Sequence, residues 1–196
     1  MTLVRRALLA ALPGALCVAV FAATGPEAGF RFGIEPRVTH GAWWLLTLLL
    51  WPFIHFSWPH VLKNAALLTA AVFLHLRDML TLGSVWCYSQ AVAGGLVWLA
   101  GRSGSVHAGA SGVSNALLSS LLLQRLIVRR VSLPVAAAAV AACGSLAVAA
   151  EAEAGVSSEG HLFGYLCGVL ATAALAWRRQ QQQQKTGALR SAEEIV

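Results

Sequence analysis

Six long apolar stretches alternate with short polar ones along this chain, at residues 7–23, 60–76, 81–100, 111–128, 133–150 and 161–177. Each is near the length of about 20 mostly apolar residues that a helix needs to cross a bilayer. The pattern therefore predicts an all-α membrane protein with six transmembrane helices. Six such spans take up roughly 120 residues and leave short loops and tails but no second domain. Residues 1–178 are expected to form one six-helix membrane domain. Residues 179–196, which open with a glutamine run at 180–184, read as a polar cytoplasmic tail without fixed structure. A further apolar segment, residues 41–56, holds Trp43, Trp44, Trp51 and Pro52. Tryptophan favours the headgroup level, so this segment is expected to lie in or dip into the interface as part of the first outer loop.

Composition sharpens the membrane reading. Of 196 residues, 58% are hydrophobic and only 11% are charged, against about 25% charged in a soluble domain. That is too little charge to cover a globular surface in water. The net charge of +6 could suggest nucleic acid as a partner, but the cations lie in loops and tails, so the expected partner is a lipid bilayer. Arg5, Arg6, Arg77, Arg125, Arg129, Arg130, Arg178, Arg179, Lys185 and Arg190 fall on one side of the predicted spans, and Arg31, Arg37 and Arg102 on the other. The positive-inside rule then puts both termini in the cytoplasm. The amino-terminal 25 residues resemble a secretory signal. Cleavage there would leave five spans, so the first helix is expected to be retained. Cys17, Cys87, Cys143 and Cys167 fall inside apolar spans, with no metal-ligand spacing and no disulfide pattern.

Polar groups inside spans are costly and need a reason, and here they cluster at the starts of spans two, four and six. His60 and Asn64, four residues apart, share one helix face, from which both can donate hydrogen bonds to an anionic oxygen. Lys63 falls on another face and can snorkel outward. Bridging between helices is the alternative use for such a pair. Ser111, in Gly109-Ala110-Ser111-Gly112, opens span four. The free N–H groups and dipole of a helix start favour negative charge there, although serine is also a common cap. His161 opens span six, and Gly164 and Gly168 follow it at steps of three and four, making a smooth face that admits a neighbouring helix closely. With both termini inside, all three starts lie on the outer side at similar depth. His40, His75 and His107 receive no chemistry from the sequence. A metal at His55 and His60 is not expected, because their five-residue step splits them around a helix with no carboxylate nearby.

His55-Phe56-Ser57-Trp58-Pro59-His60 with Asn64, Gly109-Ala110-Ser111-Gly112, and His161 with Gly164 and Gly168 together resemble the rhomboid intramembrane serine proteases, bacterial members in particular. The resemblance covers residues 1–178. It implies Ser111 as nucleophile, His161 as general base, and an oxyanion hole from His60, Asn64 and the Ser111 N–H. It also implies a supporting role for His55 and no cofactor. By the same resemblance, the substrates are single-span membrane proteins, cut near the outer leaflet of a bacterial inner membrane, with a flexible cap at 151–160. Two positions depart from the family pattern. Trp44-Leu45 stands where a Trp-Arg pair is usual, and Asn115 stands where an aromatic residue often follows the serine. A rhombosortase-like trimming of carboxy-terminal sorting tags and a non-catalytic, client-binding relative are the alternatives.

Overall fold

The computed structural model describes residues 2–38, 43–130, 132 and 157–193, with side chains to residue 186. In chain order these residues form α1 (Leu3–Thr24), α2 (Glu27–Phe32), α3 (Trp43–Leu50), α4 (Trp58–His75) and α5 (Met79–Tyr88). A π-helical turn (Ser89–Ala93) follows, then α6 (Gly94–Ala100), α7 (Ser111–Val128) and α8 (Ser158–Glu193). Among the described residues the only extended pairing is an isolated bridge between Ile34 and His107.

Three of the described stretches are long and apolar enough to cross a membrane: Leu3–Thr24, Ser111–Val128 and Ser158–Thr186. They coincide with the first, fourth and sixth predicted spans. The second and third are helical as well. α4 has 18 residues and is about 27 Å long, and α5, the π turn and α6 run in succession from Met79 to Ala100. The predicted fifth span at 133–150 lies outside the described residues, as do His40, Cys143, Glu151 and Glu153. Cys17, Cys87 and Cys167 are free thiols.

Local chemistry sets the helix starts. Ser57 Oγ accepts the His60 N–H at 3.3 Å, and Pro59, which has no N–H to leave unpaired, occupies the first turn of α4. Asp78 caps α5 by accepting the Thr81 N–H at 3.1 Å. α3 has eight residues and reaches about 12 Å, too short to cross a bilayer.

Side-chain contacts fix the packing. α1 runs against α4, where Arg6 donates to the Phe73 carbonyl at 3.1 Å and stacks over the Phe73 ring. Gly14 faces Ala65 and Thr69 so closely that a Cβ there would sit 2.7 Å from the Ala65 carbonyl oxygen. α7 packs most extensively against α8, and also contacts α4. The main core joins Val61, Leu68, Ala71, Val85, Val113, Ala116, Leu117 and Ala171 from α4, α5, α7 and α8. Leu8, Leu12 and Leu16 of α1, Leu62 and Leu74 of α4, and Leu166 and Leu170 of α8 point outward. A water-soluble monomer rarely tolerates so much exposed apolar surface, whereas lipid accepts it.

α8 continues past residue 179 through the glutamine run to Glu193. Glutamine, lysine, alanine, leucine and arginine are good helix formers, and extending an existing helix avoids the nucleation cost. Arg179 also anchors this stretch by donating to Asp78 at 3.0 Å.

Candidate active site

The starts of α4, α7 and α8 meet at one end of the bundle, and glycines make the meeting possible. Gly109, two residues before Ser111, has φ +121°, a conformation that side chains disfavour. A Cβ there would also lie 2.9 Å from the His60 ring and 3.0 Å from Asn64 Nδ2. The loop before Ser111 thus presses its backbone directly onto the two predicted oxyanion donors. His60 is half-buried; Asn64, one turn further on, is buried. Asn64 Nδ2 makes no hydrogen bond among the described residues, so its donor capacity faces this corner unspent.

On the other side of Ser111, Gly112 faces α8. A Cβ on Gly112 would come within 3.2 Å of the Gly160 carbonyl oxygen, and one on Gly164 would overlap the Gly112 carbonyl. Lower in the seam, a Cβ on Gly168 would overlap Ala116 and Ser119. The helix backbones are therefore nearly in contact, as small residues allow. His161, between Gly160 and Gly164, is buried on α8 beside this crossing, and its ring lies within electrostatic reach of His60. Ser111 is the first residue of α7, whose N-cap residue Ala110 supplies no side-chain cap.

His55 differs from the sequence picture. It does not lie on the helix with His60 but in the turn before it, and the two rings meet edge to face at 4.9 Å. Its Nε2 accepts the Ala110 N–H at 3.4 Å, which ties α4's approach to the residue preceding Ser111. Burial, reinforced by the neighbouring His60, pushes its pKa down to about 4. The ring is therefore neutral at pH 7, as an acceptor nitrogen requires. Among the described residues, no three histidine, cysteine, aspartate or glutamate side chains gather as a metal site would need.

Trp51 carries a structural role that the sequence left unassigned beyond the interface. It is buried, its carbonyl accepts the Gly109 N–H at 2.7 Å, and its ring packs on Gly112. Its indole N–H donates to the Gln90 carbonyl at 3.3 Å, within the π turn, where the widened helix exposes a carbonyl. One residue thus braces both flanks of Ser111, Gly109 through its carbonyl and Gly112 through its ring. Glu159 pairs with Arg102 at 2.6 Å, and Asp78, which caps α5, pairs with Arg179.

The fold and this end define a helical membrane protein in which the starts of α4, α7 and α8 gather His60, Asn64, Ser111 and His161 at one end of the bundle. A family model for the Rhomboid domain matches residues 40–178, most of the chain. The protein belongs to the rhomboid family, whose members are intramembrane serine proteases. No curated protein and no solved structure matches the chain.

Proposed function

We propose that this protein is an intramembrane serine endopeptidase built on six transmembrane helices, with both termini cytoplasmic and the site facing the outer side of a bacterial inner membrane. Ser111 is the nucleophile and His161 the general base. Water reaches the cluster through the polar end of the bundle, since a hydrolytic site must be wet where lipid alone would exclude water. The neutral His161 imidazole takes the Ser111 hydroxyl proton as Oγ attacks the peptide carbonyl carbon. The carbonyl oxygen becomes an oxyanion, held by Asn64 Nδ2, the His60 ring and the Ser111 N–H at the uncapped start of α7. His161 then returns the proton to the leaving amine, and water hydrolyses the acyl-enzyme by the same route. Substrates are single-span membrane proteins whose helix unwinds locally to present the peptide bond.

The observation that carries this reading is the double contact around Ser111: Gly109 against His60 and Asn64 on one side, Gly112 against Gly160 and Gly164 on the other. Nothing in helix packing alone requires unspent donors at that corner. The test reconstitutes the purified protein and its Ser111→Ala form in vesicles with a single-span substrate. Cleavage by the first only, together with fluorophosphonate labelling at Ser111, is expected. A cleaving Ser111→Ala protein overturns the assignment, and a chain that neither cleaves nor labels is the client-binding relative instead.

A further inference from the structure

Glu159, two residues before the proposed general base, is engaged by Arg102 at 2.6 Å. A further hold on the start of α8 comes from a loop. His107, four residues before Ser111, is buried, and two backbone hydrogen bonds of 2.8 Å to Ile34 pin its main chain. Its ring sits between two serines: Nδ1 is 2.5 Å from Ser157 Oγ and Nε2 is 2.7 Å from Ser105 Oγ. Ser105 spends its proton on the Arg102 carbonyl at 2.6 Å, so it accepts from His107 Nε2–H. That assignment leaves Nδ1 as acceptor for the Ser157 hydroxyl proton. Burial, against the opposing pull of Glu159, lowers the His107 pKa and keeps the ring in this neutral form.

Ser157 is the residue from which α8 starts. Its Oγ accepts the Gly160 N–H at 3.0 Å and its carbonyl accepts the His161 N–H at 3.1 Å. The relay from the Arg102 carbonyl through Ser105, His107 and Ser157 thus ends on the backbone of the proposed base.

We propose that His107 is a positioning residue: through Ser157 it sets where α8 begins and so where His161 stands relative to Ser111. This inference rests on the reading of His161 as the base. The geometry links the loop that delivers the nucleophile to the helix that delivers the base, so one histidine holds both in register. Displacing a reacting group by about 1 Å from a distance can cost on the order of 100-fold.

The experiment compares His107→Ala, His107→Asn, His107→Gln and Ser157→Ala in vesicles. An asparagine amide can replace Nδ1 toward Ser157, whereas a glutamine amide replaces Nε2 toward Ser105. His107→Ala and Ser157→Ala are expected to lower kcat about 10- to 100-fold with KM nearly unchanged, and to slow fluorophosphonate labelling equally. Combining them should add little. His107→Asn should recover most of kcat and His107→Gln should not. Wild-type kcat in a folded His107→Ala protein overturns the proposal, as does equal behaviour of the Asn and Gln variants. Hydrogen exchange at the Gly160 and His161 amides reads the same link without catalysis. Faster exchange in His107→Ala supports it and unchanged exchange overturns it, even if the wild type proves inactive.

Discussion

Two polar clusters, one around the start of α7 and one half-way along it, are built from the same residue types and handled in opposite ways. In the second, His75 Nδ1 donates to the Ala71 carbonyl at 3.0 Å, and its Nε2 lies 3.4 Å from Ser120 Oγ. Ser120 in turn accepts from Thr172 at 2.7 Å and from Gln124 at 3.0 Å. Every member has a partner, and α4, α7 and α8 are joined by the network. In the first, Asn64 Nδ2 is buried and makes no hydrogen bond among the described residues. A folded protein usually satisfies its buried donors, because leaving one unpaired costs about 1–3 kcal/mol. The cluster around Ser120 spends its hydrogen-bonding capacity on holding helices together; the one before Ser111 keeps the Asn64 amide in reserve beside Gly109. Residue type alone would assign the two histidine–serine sets the same role; satisfaction separates them.

Substitutions can break this contrast, and the serines give the widest separation. Ser111→Ala is expected to abolish cleavage while leaving thermal stability unchanged. Ser120→Ala should cleave normally per folded molecule but lose about 1–3 kcal/mol, since Thr172, Gln124 and His75 lose a shared partner. Denaturation and turnover assays on both proteins test this, and an inactive but stable Ser120→Ala protein would erase the distinction. Next comes Asn64→Ala, expected to lower kcat by about 10²–10³ with stability equal or raised, because an unpaired buried donor is removed. Thr172→Val should do the reverse, keeping kcat and losing about 1 kcal/mol.

The α7–α8 seam gives a smaller separation. Gly164→Ala and Gly168→Ala each force a Cβ into the facing backbone, at about 1–3 kcal/mol. Gly164 lies next to the proposed site, so at matched destabilisation its variant should lose more kcat, which turnover per folded molecule measures. The smallest effect belongs to the Arg102–Glu159 pair. Burial raises the Glu159 carboxyl, but its backbone hydrogen bond and Arg102 outweigh that and hold it below the usual glutamate range. A depressed carboxyl stabilises the fold above its ordinary pKa and loses that contribution as pH falls through the depressed value. Arg102 is mostly exposed, so the pair contributes at most about 1 kcal/mol. Unfolding of Arg102→Ala should differ from wild type by that much near neutrality and converge with it in acid.

Much of the candidate site is legible in the chain because it obeys helix periodicity. His60 and Asn64 four apart, Ser111 at a helix start, and His161 above Gly164 and Gly168 are local patterns whose cost in a membrane demands a reason. His55 was misplaced because a five-residue step implies opposite faces only if both residues are helical, and the Ser57 cap starts the helix after it. His107 carried no signal. Its partners, Ser105 and Ser157, come from loop positions 50 residues apart in the second case, and nothing periodic connects them. Trp51 read correctly as an apolar aromatic, but its bracing of Gly109 and Gly112 depends on where the π turn presents the Gln90 carbonyl.

By itself the sequence determined the solvent and the elements. A chain with 11% charge cannot clothe itself against water, and runs of about 20 apolar residues must satisfy their backbones as helices in lipid. It also determined which side chains are too costly to be idle. Only the tertiary structure decided which of those polar groups are already satisfied and which remain open. Hydrogen-bond saturation depends on what arrives from another part of the chain, and no spacing along a single helix encodes that arrival.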